Sequence, residues 1–546
     1  MSVPSPSDVQ ATYCATLVDE WIALGLRDAV ICPGSRSTPL AIELARRSEI
    51  RSVVRLDERG AAFYALGRTL ASSRPTLIVV TSGTAAAELH AAVAEADQAH
   101  VPLIVVTADR PSELHGVGAP QTMPQTNLFG PMVRRSVEPG VAQWEGRDSW
   151  RPLARDLWSA ALGANERRGP VHLNAAFIEP LVGNAQTVTP RAEETPTPRA
   201  EVPVTLTLEG ERVLAVVGLG TPIEVIEILQ RAGVVVIGDA TARHSMAYAD
   251  GLLRHQAFAD FVRPDRVIRI GGVVASKTVA QRLREWDLRV DGLDFGFPVG
   301  DPDRVVTSTQ QGTSLHVEGS ADREYSSWWQ KVVARAEENF RGLSFASGLL
   351  TEATIARTVV EVANETHQPL VIGSSMPFRE VEWFAPARVA PTFANRGVNG
   401  IDGVVSTLFG VAGEGAALGL VGDLTFLHDS SALVDPPSGP VALVVVANDG
   451  GHIFDFLPQS AQLDAETFSL LFTTPRPVSP ARVAEGFGHA ARRVTTVGEL
   501  RDALREVARS GEFCVIEAVP SAPTTNVDFH AWLERSLARV ANEFLT

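Results

Sequence analysis

The sequence predicts an α/β protein of three doubly wound, parallel-sheet domains, and three observations carry that expectation. Short apolar runs ending in Gly, Pro or Asp alternate from start to finish with longer Ala-rich segments of helical period, the pattern of successive βα units. Such units build parallel sheets covered by helices. The 546 residues exceed what one core organises, and at roughly 150 residues per domain about three or four units are expected.

In the first third, strands are expected over 29–32, 52–56, 76–81, 103–107 and 171–174, a spacing that fits one domain over 1–182. From 183 to 203 the chain turns to Thr, Pro and Glu, a composition that buries little and favours extended conformations, so this stretch reads as a linker. A second α/β unit over 204–320 has strands near 213–217, 234–237 and 267–270 and fades into a polar, Gly-containing stretch around 307–320. A helical connector over 321–347, centred on 325–340, leads into a third α/β domain over 348–546 with strands at 370–372, 416–421, 441–447 and 513–518.

With 45% hydrophobic and 21% charged residues, the composition indicates neither disorder nor a fibrous repeat. A net charge of −16 disfavours nucleic acid or an anionic membrane as partner, so any anionic substrate must meet a local basic pocket. The cations are almost all arginine; Lys277 and Lys331 are the lysines. Cys14, Cys32 and Cys514 are odd in number, far apart and in no CxxC pair, which argues for buried fillers in a reducing compartment. Apolar runs such as 441–447 are far below the roughly 18 residues of a membrane helix, and residues 1–6 lack a signal-peptide core, so a cytoplasmic protein without a membrane span is expected.

The strand over 416–421 ends at Gly422-Asp423, and the next, over 441–447, at Asn448-Asp449-Gly450-Gly451. In a parallel sheet these two ends lie together, and ligands of open α/β sheets bind outside such ends. The Asp423 carboxylate, the Asn448 amide oxygen and a backbone carbonyl at Gly450 can then converge. Three protein oxygens leave room for phosphates on a magnesium ion, so the array suits a metal-bridged diphosphate; the plainer reading is a pair of ordinary strand-end turns. In the first domain the strand over 52–56 runs into Asp57-Glu58-Arg59-Gly60 and a helix, where either acid is explained by the helix N-terminus alone.

The order of features is an acid after the second strand, then Thr81-Ser82-Gly83-Thr84-Ala85, then a Gly-Asp to Asn array in the last domain. It resembles the thiamine diphosphate-dependent enzymes over nearly the whole chain. The resemblance implies the thiamine diphosphate-binding fold, in which the N-terminal domain holds the aminopyrimidine, the middle domain is largely structural and the C-terminal domain holds diphosphate and metal. It makes Glu58 the catalytic, pyrimidine-contacting acid, whose carboxyl favours the imino tautomer that takes the thiazolium C2 proton. A partly desolvated, raised-pKa glutamate is needed for that.

More specific strings are Cys32-Pro33-Gly34-Ser35-Arg36-Ser37-Thr38-Pro39-Leu40, Thr107-Ala108-Asp109-Arg110-Pro111, Gly118-Ala119-Pro120-Gln121-Thr122 and Ser375-Met376-Pro377-Phe378-Arg379. To these are added Asn395-Arg396-Gly397, Gly400-Ile401-Asp402-Gly403 and Gly450-Gly451-His452-Ile453-Phe454. Together they resemble the 2-succinyl-5-enolpyruvyl-6-hydroxy-3-cyclohexene-1-carboxylate synthase family of menaquinone biosynthesis. The resemblance implies decarboxylation of 2-oxoglutarate and addition of the succinyl carbanion equivalent to isochorismate. It implies thiamine diphosphate with Mg2+ (or Mn2+) held by Asp423, Asn448 and Gly450, and Ile401 and Ile453 or Phe454 packing on the cofactor. Both substrates are dicarboxylates, and Ser35, Arg36, Arg110, Gln121, Ser375, Arg379 and Arg396 supply donors and charge, with Lys277 added from the middle domain. An arbitrary arginine in this arginine-rich chain would be read as a solvated surface residue; the motifs reverse that for these four.

Two departures stand out: Lys277-Thr278 where some relatives carry Lys-Arg, and His452 where Gly or Gln is expected. The superfamily's arrangement implies a homodimer or homotetramer, with Glu58 and Asp423 of one active site on different subunits. Two other readings remain open: another 2-oxo acid decarboxylase or carboligase of the acetolactate synthase type, and a non-catalytic binding protein on the same fold. Val217-Gly218-Leu219-Gly220-Thr221-Pro222 lacks the third glycine of a dinucleotide loop and reads as a structural turn.

Overall fold

Consecutive apolar runs become strands buried on both faces, and every strand pairing is parallel. The computed structural model describes residues 4–164, 167–186, 201–521 and 525–545. Residues 187–200 of the expected linker therefore lie outside the described residues. The chain divides into two compact units, one of Met1–Pro198, Asn395–Gly413 and His428–Pro437, the other of Arg199–Ala394, Glu414–Leu427 and Ser438–Thr546.

The first unit carries β1 (Asp28–Ile31), β2 (Arg51–Val54), β3 (Thr76–Val80), β4 (Leu103–Asp109), β5 (Ser136–Val141) and β6 (Val171–Ala176), in the order β2-β1-β3-β4-β6-β5. Leu77, Val79, Ile104 and Val106 pack in one buried cluster with Trp21, Trp150 and Trp158. The Trp21 indole meets its hydrogen-bonding need inside this core by donating to the Ala154 carbonyl over 3.0 Å. Helix Glu58–Ser72 lies against helix Val404–Ala412 at backbone distance. Glycines permit it: a Cβ on Gly67 would sit 2.2 Å from the Thr407 carbonyl oxygen, and one on Gly410 2.1 Å from that of Tyr64.

The second unit holds two larger sheets. One uses β8 (Val213–Val217), β9 (Val235–Gly238), β10 (Arg266–Ile270), β11 (Val290–Asp294) and β12 (Ser308–Gln311), with β7 (Pro203–Glu209) and β13 (Ser314–Ser320) as a separate pair. The other orders β14 (Leu370–Ile372), β15 (Thr392–Phe393), β16 (Ala417–Gly422), β17 (Val441–Val446), β18 (Ala490–Val494) and β19 (Cys514–Ala518) as β15-β14-β16-β17-β19-β18. Strand for strand, this is the order of the sheet in the first unit. Helix Arg323–Ser347 occupies the expected connector.

Three expectations need correction. The stretch expected to fade around 307–320 forms β12 and β13; β12 is fully exposed along its length, so no apolar run announces it. The end of the expected linker is already strand, since β7 starts at Pro203 and alternates buried Val204, Leu206 and Leu208 with exposed neighbours. Edge strands β5, β15 and β18 were not foreseen, and all three contain exposed or half-buried positions. The Gly218–Gly220 segment is a structural turn as expected: a Cβ on Gly218 would lie 2.2 Å from the Gly272 carbonyl oxygen. All three cysteines are buried and free. Among the described residues no helix is long and apolar enough to cross a membrane.

Candidate active site

In the first unit, β1, β2, β3 and β4 all deliver their carboxyl ends to one side of the sheet, and the residues that follow them line a common cleft. After β2, Asp57 caps the next helix, its carboxylate accepting from the Gly60 N–H over 3.2 Å and from the Ser431 hydroxyl over 2.5 Å. Asp57 is thus committed to the helix end, while Glu58, the next residue, is half-buried; both line the cleft. Burial pushes the Glu58 carboxyl above the usual glutamate range, and Asp57 and Glu88 push the same way.

The cleft encloses about 630 Å³, and Ser35, Glu58, Thr81, Ser82 and Gln121 are among its lining. The Thr81 hydroxyl is buried there with no hydrogen-bond partner among the described residues. Arg110, just after β4, donates to the Ser82 hydroxyl and, over 2.6 Å, to the Gln121 carbonyl. Desolvation and the neighbouring Arg36 both bias the Arg110 guanidinium against its charge, so the two cations lie close together. Arg36 is braced by the Phe177 carbonyl over 3.0 Å and by Glu179. Ser35, Arg36, Glu58, Arg110 and Gln121, spread over 87 positions from 35 to 121, thus form one cluster that joins an acid to a pair of forked cations.

Behind the cleft a buried polar network holds this geometry. Gln125 accepts from the Gly83 N–H over 2.9 Å and donates to Asn174, which donates in turn to Asp109 over 2.9 Å. Asp109 accepts from the Arg110 N–H over 2.7 Å. His172 closes the network at Thr107, 2.8 Å away, and burial drives its imidazole down to about 4.

In the second unit the register pairs Gly422 with Val446 at the ends of β16 and β17, so Asp423 and Asn448 emerge side by side. Asp423 is 7% exposed and takes hydrogen bonds from the N–H groups of Leu424 (2.7 Å) and Gly450 (2.9 Å). Burial pushes its carboxyl up despite these bonds. Asn448 donates its amide to Glu352 over 2.8 Å, which leaves the amide oxygen on its other side. Gly450 has φ +125°, and a Cβ there would lie 2.1 Å from the Thr473 carbonyl oxygen. Among the described residues no group of three or more His, Cys, Asp or Glu side chains is arranged for a metal. A cation here must instead draw on carboxylate, carboxamide and carbonyl oxygen, the hard donor set that suits Mg2+. The residues fit: a buried carboxylate held by backbone N–H groups gains most from a cation beside it.

The remaining expected residues lie as follows. Arg379 reaches back one turn to the Ser375 carbonyl over 3.1 Å, at the start of helix Met376–Phe384. Arg396 lies beside buried Glu95, which fastens the adjoining Gly397 and Val398 N–H groups at 2.6 and 2.7 Å. Lys277 is exposed at the first position of its helix. Ile401 is 37% exposed, and Ile453 and Phe454 are half-buried in a short turn where Phe454 packs edge-on to Phe472. His452 pairs with Asp455 at 2.7 Å. Sequence reading missed Glu352, which is 96 positions from Asn448 and has no motif of its own. It also missed Thr81 and Ser82 as lining residues, although their motif was visible.

A family model described as thiamine pyrophosphate enzyme, N-terminal TPP binding domain, matches residues 12–128. Proteins named 2-succinyl-5-enolpyruvyl-6-hydroxy-3-cyclohexene-1-carboxylate synthase align along nearly the full chain. That of Myxococcus xanthus (strain DK1622) is 36% identical over 98% of this chain and 98% of its own. That of Thermobifida fusca (strain YX) is 38% identical over 89% and 92%, and that of Geobacillus kaustophilus (strain HTA426) 34% over 98% and 99%.

Proposed function

Because the chain belongs to the 2-succinyl-5-enolpyruvyl-6-hydroxy-3-cyclohexene-1-carboxylate synthase family, we propose the family's reaction for it. It decarboxylates 2-oxoglutarate and adds the succinyl unit to isochorismate, releasing CO2, in menaquinone biosynthesis. It is a thiamine diphosphate-dependent transferase. Bound thiamine diphosphate supplies the carbon nucleophile and electron sink that a 2-oxo acid decarboxylation requires.

The observation that carries this reading is the cleft in which half-buried Glu58 sits with Ser35 and Gln121, beside the Arg36 and Arg110 pair. Burial raises the Glu58 carboxyl and so favours its protonated form, which suits it to bond a ring nitrogen of the cofactor and to move a proton there. Arg36 and Arg110 bind substrate carboxylate, Ser35 and Gln121 orient it, and Ser375, Arg379, Arg396 and Lys277 complete the set for two dicarboxylates. Asp423, Asn448 and the Gly450 carbonyl hold Mg2+ or Mn2+ for the diphosphate, with Ile401 and Ile453 packing on the cofactor rings. In this reading residues 1–182 bind pyrimidine, 204–320 are structural and 348–546 bind diphosphate. The enzyme acts in the cytoplasm, in keeping with three free buried cysteines.

The deciding assay supplies 2-oxoglutarate, thiamine diphosphate and Mg2+ with and without isochorismate and looks for the adduct by mass spectrometry. CO2 release without adduct would overturn the assignment. Self-association as a homodimer or homotetramer is part of the proposal, with each active site completed across subunits. Mixing inactive Glu58→Gln and Asp423→Asn chains should then restore activity in hybrid oligomers, whereas no recovery in a verified hybrid would exclude shared sites.

A further inference from the structure

Glu352 is the first residue of helix Glu352–Thr366, behind the N-cap Thr351. That helix start is rigid, because Thr351 and Thr354 bond reciprocally in a capping box, with the Thr354 N–H 3.1 Å from the Thr351 hydroxyl. The Glu352 side chain is buried, and its Oε1 accepts from the Asn448 amide nitrogen over 2.8 Å. An asparagine side chain is ambidextrous: one edge is an oxygen acceptor, the other an NH2 donor, and a half-turn exchanges them. Facing the Glu352 Oε1 as an acceptor, only the NH2 edge is attractive. The opposite orientation would set two oxygens against each other in a buried place where neither is solvated.

We infer that Glu352 is a positioning residue for metal binding: by accepting the Asn448 amide it holds that amide with its oxygen turned toward the cation shared with Asp423. The inference rests on the metal reading of Asp423, Asn448 and Gly450 proposed above. Such outer partners set the orientation of direct ligands. A glutamine at 352 can present either oxygen or NH2, so it no longer discriminates between the two orientations. Burial, then Glu380, Asp423 and Asp455, push the Glu352 carboxyl up to about 8, and a cation beside Asp423 would favour its charged form. Charge alone could strengthen cation binding without orienting anything, so the test must separate orientation from charge.

The test is Mn2+ titration of the metal-free protein with thiamine diphosphate present, followed by the electron paramagnetic resonance signal of free Mn2+. Glu352→Gln should weaken Mn2+ binding about 10- to 100-fold, with the melting temperature of the metal-free protein retained. In an Asn448→Asp background the same substitution should cost nothing or tighten binding, because a carboxylate presents oxygen in either orientation. An equal loss in both backgrounds, or Glu352→Gln within twofold of the parent, would overturn the inference. If the glutamine variant does not fold, Glu352→Asp in the two Asn448 backgrounds reads the same difference. Asp423→Asn serves as the control: unchanged Mn2+ affinity there would overturn the metal reading itself, whereas its loss alongside an unaffected Glu352→Gln would overturn the positioning role alone.

Discussion

The backbone N–H of Gly450 donates to the Asp423 carboxylate over 2.9 Å, so the loop after β17 is fastened to the residue at the end of β16. The bond depends on a backbone shape that a side chain would disturb. At φ +125°, with the Thr473 carbonyl oxygen 2.1 Å from any added Cβ, Gly450→Ala must move the loop. We expect a stability loss of about 2 kcal/mol or more and Mg2+-dependent cofactor retention at least tenfold weaker. Calorimetry and cofactor titration check both; native cofactor affinity in the alanine variant would show that loop shape does not matter.

Glu58→Gln removes a cleft carboxyl that burial pushes above the usual glutamate range. Turnover should fall by a factor on the order of 100 to 10,000, the usual worth of a proton-transferring side chain. Metal-dependent cofactor binding should stay within a few-fold of the parent. Raised folded-state pKa also fixes a sign: the acid limb of the parent's rate profile should bend at a pH above the ordinary glutamate value, and the bend should vanish in the glutamine variant.

Arg110 donates one guanidinium nitrogen, Nη1, to both the Ser82 hydroxyl and the Gln121 carbonyl, which fixes how the fork is presented. Lysine keeps the charge but not the fork, so Arg110→Lys should behave almost like a deletion. The Michaelis constant for a dicarboxylate should rise about 10- to 100-fold, as for loss of a charge-assisted bidentate contact. Steady-state kinetics with each substrate varied in turn show which one Arg110 serves; no change for either would remove it from the binding set.

His172 provides a pH test independent of the chemistry. Burial lowers its folded-state value to about 4, below the unfolded value, so its stability contribution is complete above about pH 6.5 and is lost as the pH falls toward 4. The full effect is on the order of 3 kcal/mol. In His172→Asn the melting temperature should decline less steeply between pH 6.5 and 4 than in the parent. A parallel decline in the two proteins would mean that His172 is not held neutral in the fold.

What was readable in the sequence follows the unbroken apolar run: β11 is buried but interrupted by Asp291 and Gly292, and it was not foreseen. Central strands β3, β4, β8, β16 and β17 are buried nearly throughout because helices cover both faces, and each carries an unbroken apolar run that was visible. Strands β5, β12 and β18 are sheet edges whose side chains meet water, and a polar run is compatible with strand or loop alike. Pairing decided those.

The same division holds for the site. That Asp423, Asn448 and Gly450 follow neighbouring strand ends was legible because two consecutive βα units place those ends together. The motifs that named Ser35, Arg36, Glu58, Arg110 and Gln121 are local strings, and their types already suited carboxylate binding and proton transfer. Which acid, Asp57 or Glu58, is spent on a helix end, and that Arg36 stands beside Arg110, depended on the folded sheet. So did the meeting of Glu352 with Asn448, because a hydrogen bond between residues 96 positions apart has no period or spacing to betray it and exists only once both backbones are held.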